Sequence, residues 1–406
     1  MEKADILVIG GGIGGLTTAI EASETGRKVV LVEKNPYLGG RVVQMNKYFP
    51  KLCPPTCGLE MNLRRIRQNS NIEILTLSGV EKISGKKGDY EGTIKVAPRY
   101  VNEACTACGE CEKVCPIERP DEFNYGLCNT KAIYLPFQMA HPMQYVIDSD
   151  ACSKCGACVE ACKFGAIDLG MEAQTTTIKV CSIVIATGWR PYDAKKIDNL
   201  KYGVHKDIVT NVQLERMAAA NGPTNGKILR PSDNKEPQSI AFVQCAGSRD
   251  EKHLRYCSAV CCLSSMKEAT YIREQNPNSK VYIFYIDRRA SGRYEDFYAR
   301  VEADENVTFI KGKVADIIEN EAGLMVCAED ILSGAKASQA VDMVVLATGM
   351  VPETDLPIDI DSDDYGFMLT DEIKGIYPTG VAKGPSEVSG VTRDAAAAAL
   401  KAIQRG

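Results

Sequence analysis

Seventeen cysteines stand in a chain of 406 residues, and most of them are clustered. In "CTACGECEKVCP", Cys105, Cys108, Cys111 and Cys115 are spaced CxxCxxCxxxC, and in "CSKCGACVEAC" Cys152, Cys155, Cys158 and Cys162 repeat that spacing. Chance placement of three cysteines at fixed offsets from a first is rare at this frequency, and here it occurs twice. Two residues between ligands let a loop wrap three corners of an iron–sulfur cube with its amides turned to the sulfurs, while the fourth cysteine of each run serves the other cluster. Cys115 is therefore expected with Cys152, Cys155 and Cys158, and Cys162 with Cys105, Cys108 and Cys111. Lys163 stands where a trailing proline would follow the second run, which bears only on the turn after the ligand. Zinc or structural thiols are the plain alternative, but zinc knuckles rarely need eight cysteines in two such repeats. Two [4Fe–4S] clusters are expected.

A second constellation is "GGGIGG". Gly10, Gly12 and Gly15 satisfy GxGxxG, with Gly14 inside the run: the first permits a tight turn, the second lets a pyrophosphate approach the backbone, and the third allows close helix–strand packing. Glu33, followed by Lys34, arrives at the distance of a carboxylate that binds ribose hydroxyls. The alternative is a glycine-rich turn with no ligand, but the run lies between an apolar strand and a helix in one complete βαβ pattern.

A third group stands in "FVQCAGSRDEKHLRYCSAVCC". Cys245 falls where a glycine turn would follow the strand "SIAFVQ", and Cys257, Cys261 and Cys262 come soon after. Any one of them reads as a small buried hydrophobe; four converging on one strand end are harder to dismiss. Without the glycines, a nicotinamide nucleotide is not expected there, although Arg249 could attract an anion. Cys53 and Cys57 in "LCPPTCGLEM" read as a turn lining the cofactor rather than a redox pair, and Cys128, Cys181 and Cys327 as core residues. His141, His205 and His253 are scattered and make no metal site or acid–base pair, though His253 lies within the third cysteine group.

The elements that position these residues follow from pattern. "ADILVIGGGIGGLTTAIEASETGRKVVLVEKN" reads as strand, turn, amphipathic helix and second strand. A ferredoxin-like block spans 100–170, inserted rather than appended. "CSIVIATGWRP" resumes a buried strand, and "QSIAFVQCAGS" with "KVYIFYID" opens a second α/β unit. "VDMVVLATGMVP" repeats the ATG pattern and suggests a return to the first sheet; Thr187 and Gly188 of the first ATG segment and Gly349 of the second are assigned to the cofactor site. "TRDAAAAALKAI" is a closing helix of high propensity. The expected segments are 1–99, 100–170, 171–236, 237–336 and 337–406. Hydrophobic residues make up 45% and charged residues 25%, and 53 acids against 48 bases with no block of like charge argue against nucleic acid as a partner. No apolar run approaches the roughly 18 residues of a membrane span, and "MEKADILVIG" lacks the pattern of a signal peptide, so a cytoplasmic protein is expected.

The segment "LGGR", with Gly40 and Arg41, resembles flavoproteins with two dinucleotide-binding domains, which implies FAD and an α/β, doubly wound, Rossmann-like fold with the two-cluster ferredoxin-like domain inserted. In that family a late glycine-bearing strand end lies beside the flavin, a part that Gly380 and Gly384 could supply; the usual acid after the glycine is replaced by Val381. "FVQCAGSRDEKHLRYCSAVCCLSSMKEA", "GLCNTKAIYLPFQMAHPMQYVID" and "VYIFYIDRRASGRYEDFYARV" resemble the A subunits of heterodisulfide reductases over nearly the whole chain. That resemblance implies a third [4Fe–4S] cluster on Cys245, Cys257, Cys261 and Cys262, and a catalytic Lys267 near flavin N5, against the alternative of a solvated helix lysine. The shorter layout closing on "VSGVTRDAAAAALKAI" is more similar to the A subunits of the quinone-interacting membrane-bound oxidoreductases of sulfate reducers. This implies an oxidoreductase subunit that relays electrons between the menaquinone pool and cytoplasmic adenylylsulfate reductase. It also implies attachment to the membrane through a haem-bearing subunit, with a homologous flavin/iron–sulfur subunit alongside. The alternatives are a truncated heterodisulfide reductase subunit that bifurcates electrons, and a docking scaffold with idle cofactors.

Overall fold

The computed structural model describes residues 2–290, 292, 294–320 and 323–404. The chain divides into two units, residues 1–189 with 352–406, and residues 190–351. In chain order the elements that position the candidate sites are β1 (Ile6–Ile9), α1 (Ile13–Glu24), β2 (Val29–Val32), α2 (Thr56–Arg67), β3 (Ile72–Leu75), β4 (Ser182–Ile185), β5 (Ile208–Thr210), α3 (Asn211–Ala218), β6 (Ser239–Ala246), α4 (Cys261–Gln275), β7 (Lys280–Tyr285), α5 (Glu295–Glu302), β8 (Val307–Lys311), β9 (Met343–Thr348), β10 (Ile376–Pro378) and α6 (Val388–Ile403). Among the described residues no helix is long and apolar enough to cross a membrane.

In the first unit β1 and β2 are "ILVI" and "VVLV", branched apolar runs buried throughout, as central parallel strands covered on both faces must be. They pair from Ile6 opposite Val29 to Ile9 opposite Val32. Around them runs a five-stranded sheet of order β10–β4–β1–β2–β3, parallel at every pair. The alanines of α6 give it high helix propensity and a flat face; Ala395, Ala398, Ala399 and Ala402 are buried, and Thr18 of α1 donates its hydroxyl to Ala395 O. Glu387 caps α6, accepting from the N–H groups of Ser389 and Gly390.

The ferredoxin-like block leaves and re-enters this unit at one hairpin. Strands Asp89–Val96 and Gln174–Val180 pair antiparallel with Val96 opposite Gln174, so the ends of the insert adjoin. The block has a small core of its own, including Val101, Ile133, Tyr145, Ile147 and Ile167 with Cys111 and Cys158. Phe123 and Phe137 join the first sheet's core instead: they stack at 5.1 Å and stand edge-on to Tyr37 at 5.6 and 5.4 Å. Each such pair adds about 0.5–1.5 kcal/mol beyond its buried area. The block is thus packed onto the sheet as well as tethered to it.

The second unit repeats the design, with a parallel sheet of order β5–β9–β6–β7–β8. Here the structure corrects the sequence reading. The second ATG segment does not return to the first sheet: β9 pairs with β6, Ile240 opposite Met343, and with β5, Ile208 opposite Val344. The two segments are alike because β4 and β9 are the equivalent strand of two similarly ordered sheets. Residues 208–210 and 343–348 therefore lie in the second unit. Where the first unit carries its insert, the second has only the short connection 330–335 between antiparallel strands Gly323–Glu329 and Lys336–Val341.

Candidate functional site

β1 ends at Ile9 and α1 begins at Ile13, so Gly10, Gly11 and Gly12 make the whole turn. Gly10 has φ +107°, and a Cβ on Gly15 would stand 1.8 Å from Gly10 O, so helix and turn touch as closely as glycine allows. Gly12 differs, because an added Cβ there would meet nothing nearer than Gly40 Cα at 3.8 Å. The fold does not require glycine at that position; a group approaching from outside does. Gly12 caps α1 without a side-chain bond and the first turn carries no acid, which leaves N–H groups and the positive end of the helix dipole to an anion. A dinucleotide pyrophosphate fits this cradle.

The other predicted cofactor residues lie in the same unit, with one exception. Gly39 N–H donates to Gly11 O at 2.8 Å, bringing the Gly39–Gly40 turn against the cradle, and a Cβ on Gly14 would stand 3.4 Å from Val391. The buried Glu33 carboxylate accepts from Gly11 N–H, and from the backbone and side-chain N–H groups of Asn35 at 2.8 and 2.7 Å. Burial outweighs these bonds and raises its pKa. Lys34 points outward to Glu353 at 2.7 Å. Arg41 lies 5.3 Å from the Trp189 ring centroid and donates to Trp189 O and Tyr125 OH. Thr187 donates its hydroxyl to Glu353 O at 2.6 Å, and Gly188 has φ +73°. Gly380 N–H donates to Asp394 at 2.9 Å and the Thr379 hydroxyl to the same oxygen at 2.8 Å, so an acid of α6 fixes this strand end. Sequence reasoning missed Asp394, which no local motif flags. Gly384 borders open space. The exception is Gly349, which lies in the second unit, where a Cβ would stand 2.3 Å from Ser248 Oγ.

The two ferredoxin loops are one conformation repeated. Ala107 and Lys154, each two residues after a first cysteine, are left-handed at φ +54°, and each donates its N–H to that cysteine's sulfur, at 3.4 and 3.3 Å. Gly109 and Gly156 follow at φ +84° and +82°. A cleft at the second loop is lined by Cys152, Cys155, Cys158 and Cys115, the crossed set that the spacing predicts. Burial, then the neighbouring Cys105, pushes the Cys111 thiol up to about 12, and burial, then Cys152, with Cys115 among the neighbours, raises Cys158. Thiols so crowded ionise only against a positive metal core. Among the described residues no three Cys, His, Asp or Glu side chains converge as ligands of one ion do; at the second loop four cysteines instead line one cleft, a donor set whose chemistry fits an iron–sulfur cube.

The third cysteine group also comes together, within the second unit. A register shift between Val243 and Ala246 takes Cys245 out of the β6 ladder, and its φ is +56°. Such a bulge re-aims a side chain. Cys261 and Cys262 open α4, whose first turn has no side-chain cap, so the helix dipole favours negative charge there. Cys257 shares the turn of the ferredoxin loops: Ala259, two residues on, has φ +60° and donates its N–H to the Cys257 sulfur at 3.4 Å. Burial, then Cys262, pushes the Cys245 thiol up to about 11, opposed by Arg249, which pairs with Asp287 at 2.8 Å. Burial, then the other three cysteines, raises Cys261. Gly349 belongs to this neighbourhood through Ser248 and Ser258.

Lys267 is neither solvated nor alone: its ammonium stands 2.7 Å from the Glu215 carboxylate, with both side chains buried. Glu215 and Glu268 carry no sequence signal that marks them. Cys53 is half-buried and Cys57 exposed, with Tyr48 beside both. Cys128, Cys181 and Cys327, expected in the core, are only half-buried. The His253 ring is 2.8 Å from the Tyr192 hydroxyl.

Residues 5–52 match the FAD dependent oxidoreductase family, and residues 102–126 and 145–168 match 4Fe-4S binding domains. The A subunit of the H(2):CoB-CoM heterodisulfide,ferredoxin reductase of Methanothermobacter thermautotrophicus is 38% identical over 98% of this chain and 63% of its own length. The iron-sulfur A subunit of the CoB--CoM heterodisulfide reductase of Methanocaldococcus jannaschii is 39% identical over 97% of this chain and 63% of its own. The chain thus spans less than two thirds of the length of these curated relatives. The crystal structure of T. acidophilum thioredoxin reductase, 13% identical, covers 100% of this chain and 99% of its own with a TM-score of 0.57, a likeness of fold alone. The protein is an FAD and two-cluster [4Fe–4S] flavoprotein of the two-dinucleotide-domain fold, and along nearly its whole length it is homologous to heterodisulfide reductase A subunits.

Proposed function

We propose that this chain is an electron-transfer subunit of an oxidoreductase complex, with a third [4Fe–4S] cluster held by Cys245, Cys257, Cys261 and Cys262. When bound, the flavin takes electrons in pairs and the clusters pass them singly. The chain's own part is to bind the pyrophosphate at the α1 turn, to hold the sulfurs, and to aim backbone N–H groups at them. The observation that carries the reading is the turn at Ala107, Lys154 and Ala259, the same left-handed residue with its N–H on a cysteine sulfur in all three groups.

We read the route as running between the menaquinone pool and a cytoplasmic adenylylsulfate reductase, through a haem-bearing membrane subunit together with a homologous flavin/iron–sulfur subunit. The resemblance of "VSGVTRDAAAAALKAI" to the corresponding segment of quinone-interacting oxidoreductase A subunits supports it. A second reading, flavin-based bifurcation within a thiol–disulfide reductase complex, is favoured by the relatives, which are named for the CoB-CoM heterodisulfide. Potentiometric titration of the flavin with partner subunits present separates the two. Strongly crossed one-electron potentials support bifurcation; ordinary potentials, with reduction by a menaquinol analogue that requires the haem-bearing subunit, support the quinone route. Clusters that no partner reduces would leave an idle scaffold and overturn both.

A further inference from the structure

Helix α4 carries Cys261, Ser265 and Glu268 at spacings of four and three, one face of a helix. They are 8%, 0% and 1% exposed. Among the described residues Ser265 Oγ and Glu268 Oε2 have no hydrogen-bond partner, nor has Oε1 of Gln244, the residue before Cys245 on β6. Buried polar atoms without partners are costly and call for an explanation. At the far end of the file Glu268 meets Glu215 of α3, which is 2.7 Å from Lys267 Nζ, with side chains 7% and 4% exposed. Two carboxylates and one ammonium shut away from water cannot all be charged without leaving a net buried charge. One proton therefore stays, and burial, then the Glu215 carboxylate, favours it on Glu268.

Among the described residues the charged groups that act on Glu268 are Glu215 and Lys267. Arg216 of α3 turns to Asn221, at 3.0 Å from its carbonyl, and Tyr271 OH is 3.5 Å from Glu215. β6 and β9 bring no charged side chain except the Cys245 thiol, and Glu295, Asp296, Arg300 and Glu302 of α5 are exposed.

We propose that Glu268 is the proton partner of the Cys245, Cys257, Cys261 and Cys262 centre, reached through Ser265. Above the pH at which the oxidised state gives up the Glu268 proton, one electron entering the centre from reduced flavin or a low-potential dye brings one proton from water back to the Glu268 carboxylate; on reoxidation both leave. The inference rests on the reading of these cysteines as a cluster site. The added negative charge, two helical turns away, tightens the hold of Glu268 on its proton. Between its ionisation points in the oxidised and reduced states the centre's potential falls as pH rises, and outside that window it is flat.

The test is redox titration of the anaerobically reconstituted full chain across pH, with iron content and the third cluster's paramagnetic signal measured in each sample. Wild type is expected to show a sloping window above the ordinary carboxylate range, and Glu268→Gln a flat potential with iron content unchanged. Where Glu268→Gln does not fold, Glu215→Gln removes the like charge and leaves Lys267 to Glu268, so the window moves to lower pH by a unit or more. A wild type without the third signal sinks the cluster reading. A full complement of iron with an unchanged slope in Glu268→Gln, or an unmoved window in Glu215→Gln, sinks this inference alone.

Discussion

Replacing Gly12 by alanine separates what the fold needs from what the cofactor needs. Gly12 has φ −74° and ψ −174°, ordinary for alanine, and the new Cβ would meet nothing within 3.8 Å. Alanine is a worse N-cap than glycine by about 1 kcal/mol, but it restricts the unfolded chain and recovers about 0.4–1 kcal/mol. The two nearly cancel, so the stability of the deflavinated protein should change by less than about 0.5 kcal/mol. The same methyl stands where phosphate oxygens must close on the α1 amides. Crowding a close-packed contact costs about 1–3 kcal/mol, which weakens FAD binding roughly 5- to 150-fold. Gly15→Ala reverses the order of effects: its Cβ would lie 1.8 Å from Gly10 O, backbone that cannot rotate away. Its cost should be about 3 kcal/mol or more, seen as lost folded protein before FAD is added. Urea unfolding of the deflavinated variants and flavin fluorescence titration on the same preparations measure both quantities. Gly12→Ala with undiminished FAD affinity would refute the assignment of that space to the pyrophosphate.

Further expectations concern the clusters, a buried proton and nicotinamide. Cys115→Ser should damage the cluster on Cys152, Cys155 and Cys158 and spare the one on Cys105, Cys108 and Cys111; spectroscopy showing the reverse loss would overturn the crossed ligation. Ala259 has φ +60°, so Ala259→Gly should be tolerated, whereas Ala259→Val, β-branched in the left-handed region, should lower iron from about twelve atoms to about eight; equal iron in both variants would count against the third cluster. The folded chain raises the Glu268 pKa above 4.5, by burial first. As pH rises past that value the unfolded chain gives up its proton before the folded one, so folding loses up to about 1.4 kcal/mol per pH unit until the folded pKa is reached. Glu268→Gln removes that loss, and its stability relative to wild type should climb as pH rises above the ordinary carboxylate range in denaturant titrations; a constant difference would contradict the buried proton. NADH should not bleach the flavin band rapidly in stopped-flow mixing, and saturable bleaching would show a working nicotinamide site.

What could be read from the sequence was what a few neighbouring residues encode. The ferredoxin ligands lie within single loops, and Gly10, Gly12 and Gly15 act within one strand–turn–helix, so spacing alone carries them. The sheet that a strand joins is decided elsewhere. "MVVLAT" of β9 is as apolar as "SIVI" of β4, and only pairing with Ile240 puts it in the second sheet. Asp394 reaches Gly380 from a helix, and Glu215 reaches Lys267 from another; neither spacing is local, and neither residue type is unusual on a helix. The third cysteine group falls between these cases. Its residue types were legible, but the register shift at Cys245 and the left-handed Ala259 exist only in the folded backbone.

The two units share a strand order yet treat the turn after their central strand oppositely, and the difference is where the chemistry divides. Ligands of such sheets bind at the carboxyl ends of the strands. In the first unit that turn holds Gly12, whose missing side chain leaves open space. In the second, Gly247 follows the strand at φ +77°, but a Cβ there would lie 2.6 Å from the Tyr192 ring and 3.1 Å from Ile197. Its glycine serves the protein's own packing. Next to it stands Cys245, turned out of the ladder toward Cys257 and the start of α4. The strand end that could have received a second dinucleotide thus spends its glycine on aromatic packing and gathers sulfur, so the same kind of sheet that leaves amides open in one unit gathers thiols in the other.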